Sequence, residues 1–341
     1  MSSQVINFVA GGGKTTYSRK LMLEKEDGLY LAFTKSVVKE MRDTGILSMT
    51  ISSLFFSYIL PKMFSFIPIV ANGASIKYNE KNTLDRISLG NIKISNDGKL
   101  CNKTNLIPVN LETSNKTLHS SPNFTNGQFL RRIFSTSSVL LDDGQRDSLS
   151  WYVIKNYPEV VLDLLGRRFK YIIIDEAQDI KPGFMEDFAK LLLKSNIELV
   201  LLGDPRQNIN GGSEWFGNLA TTDQANKTYR CPDNNCSWIR DNLMIDIKGN
   251  KTVSVCQKIE TISLDNYDDG SRFLLYSQSS PTVKDSIDKW SGPKDTIRSA
   301  KGSTIDMDIV ILGKTMNSRN LYTAITRTTK NAYFTIERIN V

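Results

Sequence analysis

The stretch "KYIIIDEAQD", Lys170–Asp179, constrains the fold more than any other part of the chain. An unbroken apolar run that stops at two acids is not the alternating pattern of a strand with one wet face. It is the form of a strand buried on both faces, in a parallel sheet covered by helices. Asp175 and Glu176 then stand at the C-terminal tip of that strand, where parallel sheets gather their reactive groups. The neighbouring segments fit the same sheet. "VINFV" (Val5–Val9) leads into glycines and a helical pattern from about Lys14 to Glu26. "GLYLAF" (Gly28–Phe33) reads as a second buried strand, and "KSVVKEMRDTG" as an amphipathic helix ended by Gly45. The chain thus opens β-loop-α-β-α. "IELVLLGDPRQNI" (Ile197–Ile209) supplies another strand ending in polar residues.

Beyond about Asn226 a second set begins. "RFLLYSQ" (Arg272–Gln278), "DIVIL" (Asp308–Leu312) and "AYFTIER" (Ala332–Arg338) read as strands, with a helix over Ser318–Lys330 between the last two. A polar stretch with "NG", "NDG" and "SSPN" turn signals, from about 61 to 126, reads as an insertion. The expected architecture is α/β, with two parallel-sheet lobes in sequence: 1–225, carrying the insertion, and 226–341.

Composition narrows the chemistry. With one histidine, His119, acid–base catalysis by imidazole is excluded by supply. The four cysteines, Cys101, Cys231, Cys236 and Cys256, match no zinc spacing and read as free thiols in a reducing compartment. The net charge of +7 on 341 residues favours a polyanionic partner. No apolar run reaches a membrane span: "TISSLFFSYILPKMFSFIPIV" is interrupted by Pro61, Lys62 and Pro68 and reads as buried core or the edge of a subdomain. The N-terminus has no signal-peptide pattern.

"FVAGGGKTT" resembles a phosphate-binding loop, G-x-x-x-x-G-K-[ST], with Phe8 where the first glycine belongs. In such a loop Lys14 reaches the β- and γ-phosphates of ATP and Thr15 ligates Mg²⁺. Backbone N–H groups over Ala10, Gly11, Gly12, Gly13, Lys14, Thr15 and Thr16, backed by a helix N-terminus, cradle the anion. The first position is a strand-to-loop junction, so Phe8 is expected to turn its ring into the core. Asp175 would hold Mg²⁺, and Glu176 would position or deprotonate the attacking water. Gln207, in "GDPRQN", is placed to hydrogen-bond a γ-phosphate or that water. Arg230 in "TYRCP" and Arg327 in "AITRT" would stabilise charge spreading over the transferred phosphoryl oxygens.

The ordered series "GGGKTT", "LAFTKSVVKEM", "TISSL", "IIIDEAQD", "LLGDPRQNI", "TYRCP", "TIRSAKGSTIDMDIVIL" and "NLYTAITRTTKNAYFTI" resembles the motifs of superfamily 1 helicases. "LAFTKSVVKEM" and "DEAQD" look like the UvrD/Rep branch. "GDPRQ", "TYRCP" and "KGST" look like the helicases of positive-strand RNA viruses. The resemblance implies two RecA-like P-loop NTPase lobes that hydrolyse Mg·ATP between them and move along single-stranded nucleic acid, RNA rather than DNA. It also implies a viral replication setting in the host cytoplasm, with replication proteins as partners. Gly302 and Thr304 would couple ATP to the strand. Phe33 and Thr34 fall where the family touches single-stranded nucleic acid, and Trp215 near where it stacks a base. The departures are Phe8 in the phosphate loop, Thr304 where the UvrD/Rep branch has Glu, and no glutamine-bearing segment before the loop. An alternative within the same resemblance is a nucleic-acid-binding ATPase without processive unwinding, as in viral movement or silencing-suppressor proteins.

Overall fold

The computed structural model describes residues 3–63, 75–78, 84–88, 92–94, 100–102, 143–277 and 283–340. The chain divides into two compact units. The first comprises Met1–Ser3, Met22–Ile174 and Lys181–Leu199; the second comprises Gln4–Leu21, Asp175–Ile180 and Val200–Val341.

In the first unit the strands Tyr171–Ile174, Gly28–Ala32 and Ser48–Thr50 pair in parallel in that order. Every residue of "GLYLA" and "YIII" is buried, which is the reason both runs lack polar alternation. Helix Lys35–Asp43 follows the second of these strands and buries Val38 and Met41, the apolar stripe of the amphipathic pattern. The apolar segment beyond Thr50 is helical to Met63, and Ile51, Leu54, Phe55, Ile59, Leu60 and Met63 are buried. The Phe55 ring meets Phe184 and Phe188 edge-on at 5.4 and 5.0 Å, the geometry preferred by the aromatic quadrupole. The helical run read over "DSLSWYVIKNYPEVVLDLLGRRF" is two helices, Asp143–Asn156 and Pro158–Gly166. Proline, with no N–H to donate, suits a first helical turn and starts the second. Two antiparallel pairs, Ser75–Tyr78 with Leu84–Ser88 and Ile92–Ile94 with Leu100–Asn102, fall within the expected insertion. The rest of 64–126, His119 included, lies outside the described residues.

The second unit carries the features on which the chemistry depends. Strand Gln4–Phe8 pairs in parallel with Asp223–Ala225 on one side and with Glu198–Gly203, from Val200 onward, on the other. A five-stranded parallel sheet has the order Cys256–Lys258, Ala332–Phe334, Ile309–Leu312, Phe273–Tyr276, Lys294–Thr296. Helix Ser318–Ile325 buries Leu321, Tyr322, Thr323, Ala324 and Ile325, and its N-terminus is capped by Asn317. One apolar cluster joins Val9 and Ala10 to Cys231, Ile239, Leu321, Tyr322 and Ile325. Both sheets are parallel and flanked by helices, the α/β class read from the sequence. The strands read as "DIVIL" and "AYFTIER" are shorter, Ile309–Leu312 and Ala332–Phe334. Among the described residues no helix is long and apolar enough to cross a membrane.

Candidate functional site

The strand "QVINF" ends at Phe8, whose ring is buried against Tyr17 at 5.4 Å between centroids. The bulky residue at the first glycine position is therefore core, and the loop proper begins after it. Gly11 and Gly13 take φ +69 and +86, a region in which a side chain is strained. A Cβ on Gly11 would also lie 2.7 Å from Thr228 Oγ1 and 2.8 Å from Arg230 Cβ. Gly11 O accepts from the Tyr229 N–H at 3.0 Å, so the loop is tied to the strand Lys227–Pro232. Helix Lys14–Leu23 starts directly behind the loop, with no acid in its first turn to compete for an anion.

A cavity of about 420 Å³ opens over this loop. Its lining includes Gly11, Gly12, Gly13, Lys14, Thr15, Thr16, Glu176, Gln207, Arg230, Gly302, Thr304 and Arg327, all belonging to the second unit. Residues far apart in sequence and assigned from motifs thus converge on one space. Tyr229 and Thr329 line it too, although neither was singled out in the sequence. Tyr229 is 68% exposed at the cavity rim beside Gly13, with Lys227 Nζ 5.3 Å from the centroid of its ring.

Ala10 departs from its expected role. Its N–H donates to the Tyr322 hydroxyl at 3.0 Å in a fully buried contact, so it is not available to a phosphate. The Gly12 N–H is likewise taken by Val9 O at 2.9 Å. Two of the N–H groups that the sequence pattern assigns to an anion cradle are therefore already taken.

Lys14 Nζ lies 2.9 Å from Glu176 Oε1. Burial alone would lower the lysine pKa, but Glu176, Asp175 and Asp204 around it reverse that and raise it. Glu176 shows the complement: burial would raise it, yet Lys14 and then Lys301 bring it down to about 2. Glu176 sits at φ 53, ψ 42, one of two non-glycine residues with positive φ among those described. This left-handed turn is a conformation that costs an L-residue roughly 1–2 kcal/mol. Asp175 is buried and accepts the Glu176 N–H at 2.8 Å. Gln178 Nε2 donates to Glu176 Oε2, and Gln178 Oε1 accepts the Asp204 N–H at 3.0 Å.

Arg327 is 2% exposed. Its Nε donates to Thr323 O at 3.0 Å and its Nη2 to Gln207 Oε1 at 2.9 Å. Burial first, then the like charge of Arg230, brings its pKa to about 10. Arg230 is lowered by burial as well, and its Nη1 reaches Thr326 O at 3.5 Å. Three cations, Lys14, Arg230 and Arg327, thus face the cavity against the carboxylate of Glu176. The buried carboxylates of Asp175 and Asp204 act on the same cations from behind the cavity wall.

The oxygen donors of Thr15 and Asp175, with no nitrogen or sulfur ligand between them, suit a hard cation such as Mg²⁺, which binds few protein groups beside a nucleotide's phosphates; Thr15 lines the cavity and buried Asp175 does not. Among the described residues no cluster of three or more acids, histidines and cysteines could hold a metal alone.

Lys301, in the loop before Gly302, pairs with Asp179 at 2.6 Å and tethers "KGST" to "DEAQD". Gly302 takes φ +90 and is open on its Cα side. Phe33 and Thr34 belong to the first unit. Phe33 is half-buried, and exposed Thr34 caps the helix that follows it. Trp215 is half-buried ahead of the short turn Phe216–Asn218 and does not line the cavity.

A family model for the viral superfamily 1 RNA helicase core domain matches residues 128–335. The chain belongs to that family. Membership agrees with the resemblance carried by the motifs. The phosphate loop lies upstream of the matched residues, so its assignment rests on its own sequence and geometry. No curated protein sequence matches. Similar solved structures include the arterivirus nonstructural protein 10 helicase, at 14% identity and TM-score 0.47, covering 98% of this chain and 59% of that one. The PRRSV helicase is similar at 14% identity and TM-score 0.45, over 97% of this chain and 52% of that one. A complex of arterivirus nonstructural protein 10 with DNA is similar at 11% identity and TM-score 0.46, over 98% and 60%. The chain thus spans 52–60% of the length of these structures.

Proposed function

We propose that the chain is an ATP-dependent translocase of single-stranded nucleic acid, RNA rather than DNA, that unwinds duplexes during viral genome replication in the host cytoplasm. The observation that carries this reading is the convergence of Lys14, Glu176, Gln207, Arg230 and Arg327 on one cavity over a phosphate loop. Lys14 leaves Glu176 for the β- and γ-phosphates, and the N–H groups of Gly13, Lys14, Thr15 and Thr16 hold the phosphate oxygens. Thr15 and Asp175 would hold Mg²⁺, which when bound would neutralise charge on those oxygens. Glu176, released from Lys14, accepts a hydrogen bond from the attacking water and orients it in line with the γ-phosphorus. Arg230 and Arg327 take up charge as it spreads over the phosphoryl oxygens, and Gln207 reports whether the γ-phosphate is there. Tyr229 stacks the nucleobase at the rim, and the Gly302–Thr304 loop links the nucleotide to the strand.

In this reading the lobes are 1–225 and 226–341, and Phe33, Thr34 and Trp215 contact single-stranded nucleic acid, with replication proteins as further partners. Binding falls steeply with salt because it displaces counterions from the strand. A strand-displacement assay tests it: the reading expects ATP-dependent unwinding that Lys14→Ala abolishes. ATP hydrolysis and strand binding without unwinding would favour a nucleic-acid-binding ATPase of the movement or silencing-suppressor kind instead.

A further inference from the structure

We infer that Tyr322, which does not line that cavity, is a positioning residue that ties the Arg327 and Gln207 side of the site to the phosphate loop; this rests on the reading of the site above. The hydrogen-bond chain is continuous and its polarity is fixed by chemistry. Ala10 N–H can only donate, and it donates to Tyr322 Oη at 3.0 Å. The phenol's one proton is then left for Asp204 Oδ2, 2.8 Å away. The same Asp204 oxygen accepts Gln207 Nε2 at 2.9 Å, while its other oxygen accepts Arg206 N–H at 3.2 Å. An ionised carboxylate can only accept, so it orients the Gln207 amide with nitrogen toward Asp204 and oxygen away. That oxygen is the one that receives Arg327 Nη2 at 2.9 Å.

The consequence is specific. Tyr322 and Asp204 are fully buried and Ala10 nearly so, so no water substitutes for a lost partner. Without the phenol hydroxyl, the Ala10 N–H is orphaned and the Asp204 carboxylate loses one of its three donors. The amide of Gln207 is then free to be drawn closer or to turn, and the carbonyl that orients Arg327 goes with it. Tyr322 also lies on the helix that delivers Arg327, so one side chain sets both the start of the loop and the arginine's aim. Tyr322, Asp204 and Ala10 do not line the cavity, so the expected signature is a loss in turnover and not in binding.

The test is Tyr322→Phe, which deletes one oxygen atom, measured for ATPase kinetics beside wild type, Lys14→Ala, Gln207→Ala and the Tyr322→Phe/Gln207→Ala double variant. Folding is followed by circular dichroism. The inference expects kcat to fall about tenfold in Tyr322→Phe with KM for ATP within about twofold. It also expects the Tyr322 effect to vanish in the Gln207→Ala background, because an effect relayed through Gln207 cannot add to its removal. An effect on kcat of equal size in both backgrounds, or a kcat within twofold of wild type, overturns it. If Tyr322→Phe does not fold, Asp204→Asn breaks the same node from the other side, and the same kcat and KM criteria decide. The underlying reading fails separately: if wild type hydrolyses no NTP, or Lys14→Ala keeps the activity, both fall, whereas a dead Lys14→Ala with a normal Tyr322→Phe sinks this inference alone.

Discussion

Replacing Lys14 by Met removes the cation that faces Glu176 while keeping the bulk of the side chain. In the wild type Glu176 is brought from an ordinary 4.5 to about 2. A shift of one unit is about 1.36 kcal/mol, so the net effect of burial against Lys14, Lys301 and Gln178 is ~3 kcal/mol before screening. The Glu176 side chain keeps 31% of its exposure and Lys301 supplies part of the effect, which leaves about 2 kcal/mol for Lys14. The sign follows from linkage. A carboxyl whose folded pKa is depressed contributes stability that is present above its unfolded value and lost as pH falls through the folded one. Wild type should therefore lose stability between about pH 4.5 and pH 2 through this group. In Lys14→Met the half-buried carboxylate has lost its main counter-ion, so burial, which disfavours its charged form, raises its pKa. The assay is urea unfolding of the nucleotide-free protein at pH 7, 5, 4 and 3, followed by tryptophan fluorescence. Lys14→Met should be less stable at pH 7 by about 2 kcal/mol, and the gap should narrow as pH falls. Carboxylates elsewhere contribute equally to both proteins and cancel. A gap that stays constant from pH 7 to 3 would refute the reasoning.

Other expected outcomes follow from the same geometry. Arg327→Ala should lower kcat by ~10³-fold or more with little change in nucleotide affinity, measured by single-turnover hydrolysis beside equilibrium binding of a non-hydrolysable analogue. Tyr229→Ala should raise KM for ATP about tenfold at nearly constant kcat, since a stacked base is worth roughly 1–3 kcal/mol; an unchanged KM would remove Tyr229 from the base site. Phe8→Gly should leave ATPase activity largely intact, because the ring packs on Tyr17 and not on the cavity; a many-fold gain in activity would show that the ring distorts the loop.

The legible part of the fold was the part set by burial. "YIII" and "GLYLA" are apolar throughout because both faces are covered, and their placement in a parallel sheet follows from that alone. Residues that line the cavity were legible where a side chain's chemistry is tied to a motif, as with Lys14, Glu176 and Arg327. What the sequence hid was polar pairing across long separations. Tyr322 reads as one more core aromatic on an amphipathic helix, and nothing in "NLYTAI" indicates that its hydroxyl meets Asp204, which lies in another motif. For the same reason Ala10 was counted in the anion cradle, since a spacing pattern cannot tell which N–H groups are already taken. Tyr229 was obscured by its neighbour: Arg230 drew the functional reading of "TYRCP", while the exposure of the tyrosine is a property of the folded strand.

The central claim is that the cavity over the phosphate loop hydrolyses ATP in response to a nucleic-acid strand. Its most direct test is steady-state ATPase activity of the purified chain with single-stranded RNA and single-stranded DNA across a salt series, beside Glu176→Gln. Activity should be stimulated by strand, more by RNA than by DNA. Stimulation should fall as salt rises, and Glu176→Gln should abolish turnover while still binding nucleotide. Hydrolysis that ignores both strands, or that survives Glu176→Gln undiminished, would contradict the account.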